Sequence, residues 1–101
     1  PFGVGFLIGG VDETGGRLFE TDPSGTVIEW QAQSIGRGSE KSKKSLENTY
    51  NPKMRQEEAV KIAIEALKAG EKDVSNKDID VSIITSSGLK RLPEAEISKV
   101  A

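Results

Sequence analysis

The residues of this sequence that could do acid–base chemistry are carboxylates and lysines, because it contains neither histidine nor cysteine. Without histidine and cysteine, the sequence has no imidazole base or imidazole metal ligand, no thiolate and no disulfide. Four acids lie close together around two predicted turns: Asp12, Glu13, Glu20 and Asp22. They could form a paired-carboxylate or metal site, but acids in such segments also shape turns and stay solvated. We favour the second interpretation, also for Asp78 and Asp80, and assign no catalytic, cofactor-binding or metal-binding residue.

Three further features could bind a partner or a ligand. The segment Gly36-Arg37-Gly38-Ser39 leads into a predicted helix, as phosphate-binding loops do. Its spacing matches neither the dinucleotide pattern nor the P-loop pattern, which favours a structural corner. The lysines of Lys41–Lys44 could contact an acidic partner, although a solvated helix face is the favoured account. Trp30 could anchor an interface, but its strand spacing from Ile28 is more typical of a core residue.

Length and composition restrict the class of protein. With 101 residues, the sequence fits a single domain spanning 1–101. Its apolar fraction of 35% is low for a self-sufficient core, so we expect its stability to depend on a partner. A net charge of −2 argues against binding to nucleic acid or to an acidic membrane. The longest apolar run, Val4–Val11, is too short to span a bilayer and lacks a basic leader. We expect a reducing, cytoplasmic compartment.

The first third of the sequence predicts three strands joined by tight turns. From Phe2 to Gly9, large residues alternate with a mostly glycine face, which would allow another element to pack close to the backbone. Arg17–Glu20 is a short second strand. Asp22-Pro23-Ser24-Gly25 fits a type I turn, and Thr26–Ile35 alternates as a half-buried third strand. Short turns between the strands predict an antiparallel meander.

The rest of the sequence predicts mainly helices. Ser39 would cap a surface helix over 40–50, and a stronger helix over 56–69 would stop at Gly70. A strand over 78–85, a short edge strand over 89–92 and a final helix after Pro93 follow, with Ile97 and Val100 facing inward. The fold class is α+β: an antiparallel sheet with helices on one face, leaving its glycine-lined face and its edges open.

Four blocks in this order resemble the C-terminal half of a proteasome α-type subunit. The first runs from Pro1 through Glu13, then from Gly16 to the Asp-Pro-Ser-Gly turn, and ends on Ile35-Gly36-x-Gly38. The others are Glu57-Glu58-Ala59 with the following apolar stripe, Ile79-x-Val81-x-Ile83-Ile84, and Leu92-Pro93-x-Ala95-Glu96-Ile97. The resemblance covers essentially the whole chain. The family's subunit is more than twice as long, and it often has Ser or Thr where this sequence has Arg55.

The resemblance implies half of an αββα N-terminal-nucleophile hydrolase sandwich, with two stacked sheets between helix layers. It implies a structural, non-catalytic part of the proteasome core particle α ring, which caps the chamber in ATP-dependent or activator-dependent protein degradation. The partners it implies are other α-type subunits and β-type subunits. For the fragment, they are the missing N-terminal half or further copies of itself, with no nucleic acid and no membrane. The family's gate and activator-docking lysine lie in that missing half, so no such residue is carried over.

Two other function classes remain open at this point. Catalytic members of the wider family use an N-terminal threonine whose free amine acts as the base, whereas this sequence begins with Pro1 and its threonines are internal: Thr14, Thr21, Thr26, Thr49 and Thr85. An enzyme would therefore rely on carboxylates and lysines. The alternative is a small stand-alone α+β protein-interaction module.

Overall fold

The computed structural model describes residues 5–100. Its elements are β1 (Phe6–Asp12), β2 (Gly15–Thr21), β3 (Val27–Trp30), α1 (Ser39–Thr49), α2 (Gln56–Gly70), β4 (Ser82–Thr85), β5 (Gly88–Arg91) and α3 (Glu94–Val100). A single 3₁₀ turn, Asn76–Asp78, precedes β4. Three helices with two small antiparallel sheets confirm the predicted α+β class. None of the helices within residues 5–100 has the length and apolar character needed to cross a bilayer.

The first three strands form the predicted antiparallel meander, in the order β1-β2-β3. Asp12 pairs with Gly15, so the first connection has two residues, and Gly15 adopts a φ of 115°. In the second connection the N–H of Gly25 donates to the carbonyl of Asp22 at 3.0 Å, as the predicted turn requires. The predicted start of the first strand, residues 2–4, lies outside the described residues.

The third strand is shorter than the prediction of Thr26–Ile35, because the pairing with β2 ends at Trp30. Beyond this point the Gln33 side chain makes two hydrogen bonds. Its amide nitrogen donates to the Glu20 carboxylate, and its oxygen accepts from the N–H of Ser34, both at 2.9 Å. These contacts tie the segment after β3 to the Glu20 side chain of β2.

The two faces of β1 do not have the predicted environments. Phe6 and Ile8, on the large-residue face, are 57% and 54% exposed. On the other face Leu7 is half-buried, and a Cβ placed on Gly9 would lie 3.8 Å from the Ile84 side chain of β4. The expectation that the glycine-lined face would stay open is therefore wrong at Gly9, and the large-residue face is the uncovered one.

The corner between the meander and α1 is shaped by contact with the end of α2. Gly38, not Ser39, is the N-cap of α1, with a φ of 78° and no side-chain cap, so the predicted Ser39 cap is wrong. A Cβ on Gly38 would overlap the backbone of Gly70. Gly70 is itself the last residue of α2 and does not adopt the left-handed conformation of the predicted stop. Both glycines instead allow two backbones to meet.

A buried polar residue, Ser42, joins α1 to α2 at the seam where the two helices contact each other. Ser42 is 5% exposed, and its hydroxyl donates to the carbonyl of Ala66 at 2.7 Å. Leu46 and Tyr50, the predicted apolar stripe of α1, are half-buried. The close approach of the helices therefore rests on small residues, because larger ones would hold the axes apart.

Within residues 5–100, the buried core lies in the second half of the chain. Its buried members come from α2, the segment before β4, and α3: Val60, Ile64, Ile79 and Ile97. Partly buried residues pack around them: Val74, Val81, Ile83, Leu92 and Val100. The inward positions predicted for Ile97 and Val100 are confirmed, and no residue of the meander belongs to this core cluster.

The second sheet is a hairpin of β4 and β5. The predicted strand over 78–85 begins only at Ser82, because Asn76–Asp78 form a 3₁₀ turn closed by the reciprocal contacts of Ser75 and Asp78. The predicted strand over 89–92 is present as β5, and the N–H of Leu92 extends the pairing to the carbonyl of Val81 at 2.8 Å. A two-stranded sheet is marginal alone and needs packing against other elements.

Candidate functional site

The predicted acid cluster does not converge on one site. Asp12 and Glu20 are five positions apart along the β1–β2 ladder (Gly15 to Glu20), about 17 Å at about 3.4 Å per residue. Glu13 lies in the exposed turn between these strands. Within residues 5–100, no three acidic side chains come together as a metal site would require.

Each of these carboxylates, Glu13 aside, has a structural contact. Asp12 accepts from the backbone and hydroxyl of Thr14 at 2.8 and 2.6 Å, and Thr14, followed by Arg17, lowers the pKa of Asp12. Asp22 accepts from Ser24 and from the N–H of Thr26, and these bonds lower the pKa of Asp22. The contacts of Asp12 and Asp22 stabilise the turns in which these residues lie.

Asp78 and Asp80, the acids later in the chain, also make structural contacts. Asp78 accepts from the hydroxyl of Ser75 at 2.9 Å and closes the 3₁₀ turn. Asp80 forms an ion pair with Arg91, and both side chains are largely exposed. An exposed pair of this kind contributes little to stability.

The internal threonines also make local hydrogen bonds. Their hydroxyls contact the following groups: Thr14 the Asp12 carboxylate, Thr21 the N–H of Phe6, Thr26 the hydroxyl of Ser24, Thr49 the carbonyl of Ser45, and Thr85 the N–H of Ser87. In the described residues these threonines thus act within turns, a strand end and a helix.

The Gly36–Ser39 segment is a corner filled by protein. The N–H of Ser39 donates to the carbonyl of Gly36 at 3.1 Å, and the carbonyl of Gly38 accepts from Ser42. The backbone of Gly70 occupies the space beside Gly38. The structural interpretation agrees with this geometry, since a phosphate would need that space and those donors.

The lysines of α1 do not form one continuous patch. Lys41 and Lys44 are exposed, whereas Lys43 is half-buried and lines a cleft of about 590 Å³ between β3 and α1. A contact of this face with an acidic partner stays a prediction.

Trp30 lines the same cleft and is not part of the core in the described chain. It is 41% exposed, and its indole N–H donates to Glu20 at 2.9 Å. The favoured prediction of a core position is therefore wrong within residues 5–100. An exposed tryptophan fixed by a hydrogen bond is instead typical of a surface that another element covers.

The uncovered face of the meander combines several exposed apolar side chains with a charge network. We call Phe6, Ile8, Phe19 and Val27 the outer meander face; the first two and Val27 are more than half exposed. The register aligns them, with Ile8 opposite Phe19.

Arg17 organises the polar end of this face. It donates to Glu29 and to Asp12 at 3.0 Å each, and its guanidinium lies 5.1 Å from the centre of the Phe19 ring. The Arg17 hydrogen bond holds the pKa of Glu29 below its usual value. A rigid polar rim beside an apolar patch is the usual anatomy of a protein interface.

A second uncovered surface lies between the meander and the helices. This inner groove has a volume of about 550 Å³, and its apolar lining includes Leu7, Leu18, Ile35, Leu46, Ile62 and Leu67. Ile35 and Leu67 remain exposed there, although both lie within the structured chain. No sequence pattern predicts this groove, because it depends on the spacing between the meander and the helices.

Comparison with known proteins identifies the family. The proteasome subunit family model matches residues 1–84, which is most of the chain. The chain belongs to the proteasome subunit family. The family assignment confirms the resemblance described above, and the names of the relatives below agree with its α type.

The relatives are archaeal proteins named as α subunits. The chain is 41% identical to proteasome subunit alpha of Methanocaldococcus jannaschii over 99% of its own length and 39% of the relative. It is 35% identical to proteasome subunit alpha 2 of Haloferax volcanii, over 99% of the chain and 40% of that relative. Methanopyrus kandleri has a proteasome subunit alpha with 35% identity, matched over 99% of the chain and 41% of the relative. The chain thus spans about two fifths of the length of these relatives.

Proposed function

We propose that this chain is the structural, non-catalytic part of a proteasome α-ring subunit, which caps the proteolytic chamber in ATP-dependent or activator-dependent protein degradation. The observation that carries this proposal is the pair of uncovered apolar surfaces on a chain whose relatives are named α subunits. The chain would act in the cytoplasm, within a threonine protease complex whose chemistry resides in other subunits.

The outer meander face supports an assembled role on energetic grounds. Full burial of an aliphatic or aromatic side chain stabilises by about 1.5–3 kcal/mol. Phe6, Ile8 and Val27 are each more than half exposed in the described structure, so more than half of that stabilisation is not realised. An interface that covered all three would therefore contribute a sizeable part of the stability that a small domain can have.

The inner groove supports a partner whose polypeptide inserts between the meander and the helices. Its lining joins the meander to the α1–α2 pair, so an apolar element placed there would bury both sides at once. We propose that the rest of the family fold fills the groove, or that further copies of the chain cover these surfaces when that part is absent. Other α-type and β-type subunits are the partners of the completed subunit.

The non-catalytic role is supported by the polar contacts of the described residues. The carboxylates considered as candidates, Glu13 aside, and the threonines stabilise turns, pairs or helix ends. A nucleophile needs a neighbouring base that is free to take its proton. These contacts instead fix the candidate groups in structural roles.

Native mass spectrometry tests the assembled role. The chain is co-expressed with the part of the Methanocaldococcus jannaschii relative that it does not match. The proposal predicts a complex of several hundred kilodaltons that contains both polypeptides. Ile8→Asp, on the outer meander face, should abolish that complex, whereas the matched control Ser87→Asp, in the exposed β4–β5 turn, should leave it intact.

A monomeric chain that unfolds cooperatively and ignores the complementing polypeptide would contradict the proposal and favour a stand-alone interaction module. Peptidase activity is assayed separately with a fluorogenic peptide. Turnover by the chain alone that disappears in Glu20→Gln would show that the chain is an enzyme.

A further inference from the structure

We draw no further inference here: the strongest candidate, the cleft between β3 and α1 that is lined by Glu20, Trp30, Lys43 and Tyr50, carries nothing because nothing in the described residues shows what occupies it.

Discussion

The meander and the helical half of this chain use their apolar residues in opposite ways. In the helical half, Ile64 and Ile97 are almost completely buried among other aliphatic side chains. In the meander, Phe6 and Ile8 stand on an ordered strand and face solvent. Regular pairing alone therefore does not produce a core here. The helical half therefore buries its apolar residues within the described chain, whereas the meander leaves apolar surface exposed.

The strongest test of this contrast compares two isoleucines. Ile64→Ala should lower the free energy of unfolding by about 2–5 kcal/mol, because it removes a buried side chain and leaves a cavity. Ile8→Ala should change it by less than about 0.5 kcal/mol, since the site is exposed. Urea denaturation followed by circular dichroism measures both. Ile64→Val provides a milder variant if the alanine variant does not fold. Equal losses of unfolding free energy at Ile64 and Ile8 would contradict the contrast between a buried half and an exposed meander.

The glycine contact at the end of α2 should rank next. Gly70→Ala places a Cβ about 2.5 Å from the carbonyl oxygen of Gly38 and 2.6 Å from the Ser42 hydroxyl. Such overpacking costs about 1–3 kcal/mol. The matched control is Gly10→Ala, where a Cβ meets nothing within 4 Å. Thermal melts that rank Gly10→Ala as the more damaging change would refute the close-approach explanation.

Removal of the Ser42 hydroxyl should have a smaller effect on the same seam. Ser42→Ala loses the buried bond to Ala66 and should cost about 1 kcal/mol. Ser45→Ala changes the same residue type on the same helix, so it corrects for the better helix propensity of alanine. The quantity to compare is the difference between the two denaturation midpoints. No difference would mean that the hydroxyl does not stabilise the helix pair.

The charge network on the outer meander face should give the smallest effect, visible only in titration. Arg17 is the first cause of the lowered pKa of Glu29, whereas Thr14 is the first cause for Asp12. Arg17→Met should therefore return the Glu29 pKa toward its ordinary value of 4.5 and leave most of the Asp12 shift in place.

The sign of the pH dependence follows from these lowered pKa values. A carboxylate with a lowered folded-state pKa stabilises the fold above its unfolded pKa, and this contribution is lost as the pH falls through the folded pKa. The stability difference between the wild type and Arg17→Met should thus shrink as the pH falls below about 4. Side-chain carboxyl NMR titration measures both pKa values, and an unchanged Glu29 in the variant would be inconsistent with the Arg17 contact.

The sequence predicts elements well where the signal is local. The apolar spacing of α2 predicts residues 56–69, and the helix spans Gln56–Gly70. The meander and its second turn follow from alternation and from turn residues. Close approach is not local: Gly70 suggests a helix stop, but its role depends on Gly38, more than thirty residues earlier.

The exposed surfaces could not be predicted for the same reason. Alternation shows that Phe6 and Ile8 share a face, but only the position of β4 decides which face is covered. The early end of β3 is not visible in the alternation either, because the alternating pattern continues to Ile35 whereas the pairing with β2 stops at Trp30. Likewise, the candidate acids could be named from sequence, but their separation is a property of the strand register.

Hydrogen exchange on the chain alone and in the complex with the complementing polypeptide tests the central claim most directly. Exchange protection reports how strongly each region is held by local and global packing. The account predicts protected amides in α2 around Ile64 in both states, and strong protection of β1 from Phe6 to Asp12 only in the complex. Equal protection of β1 with and without the complementing polypeptide would contradict the claim that the meander is an interface completed by assembly.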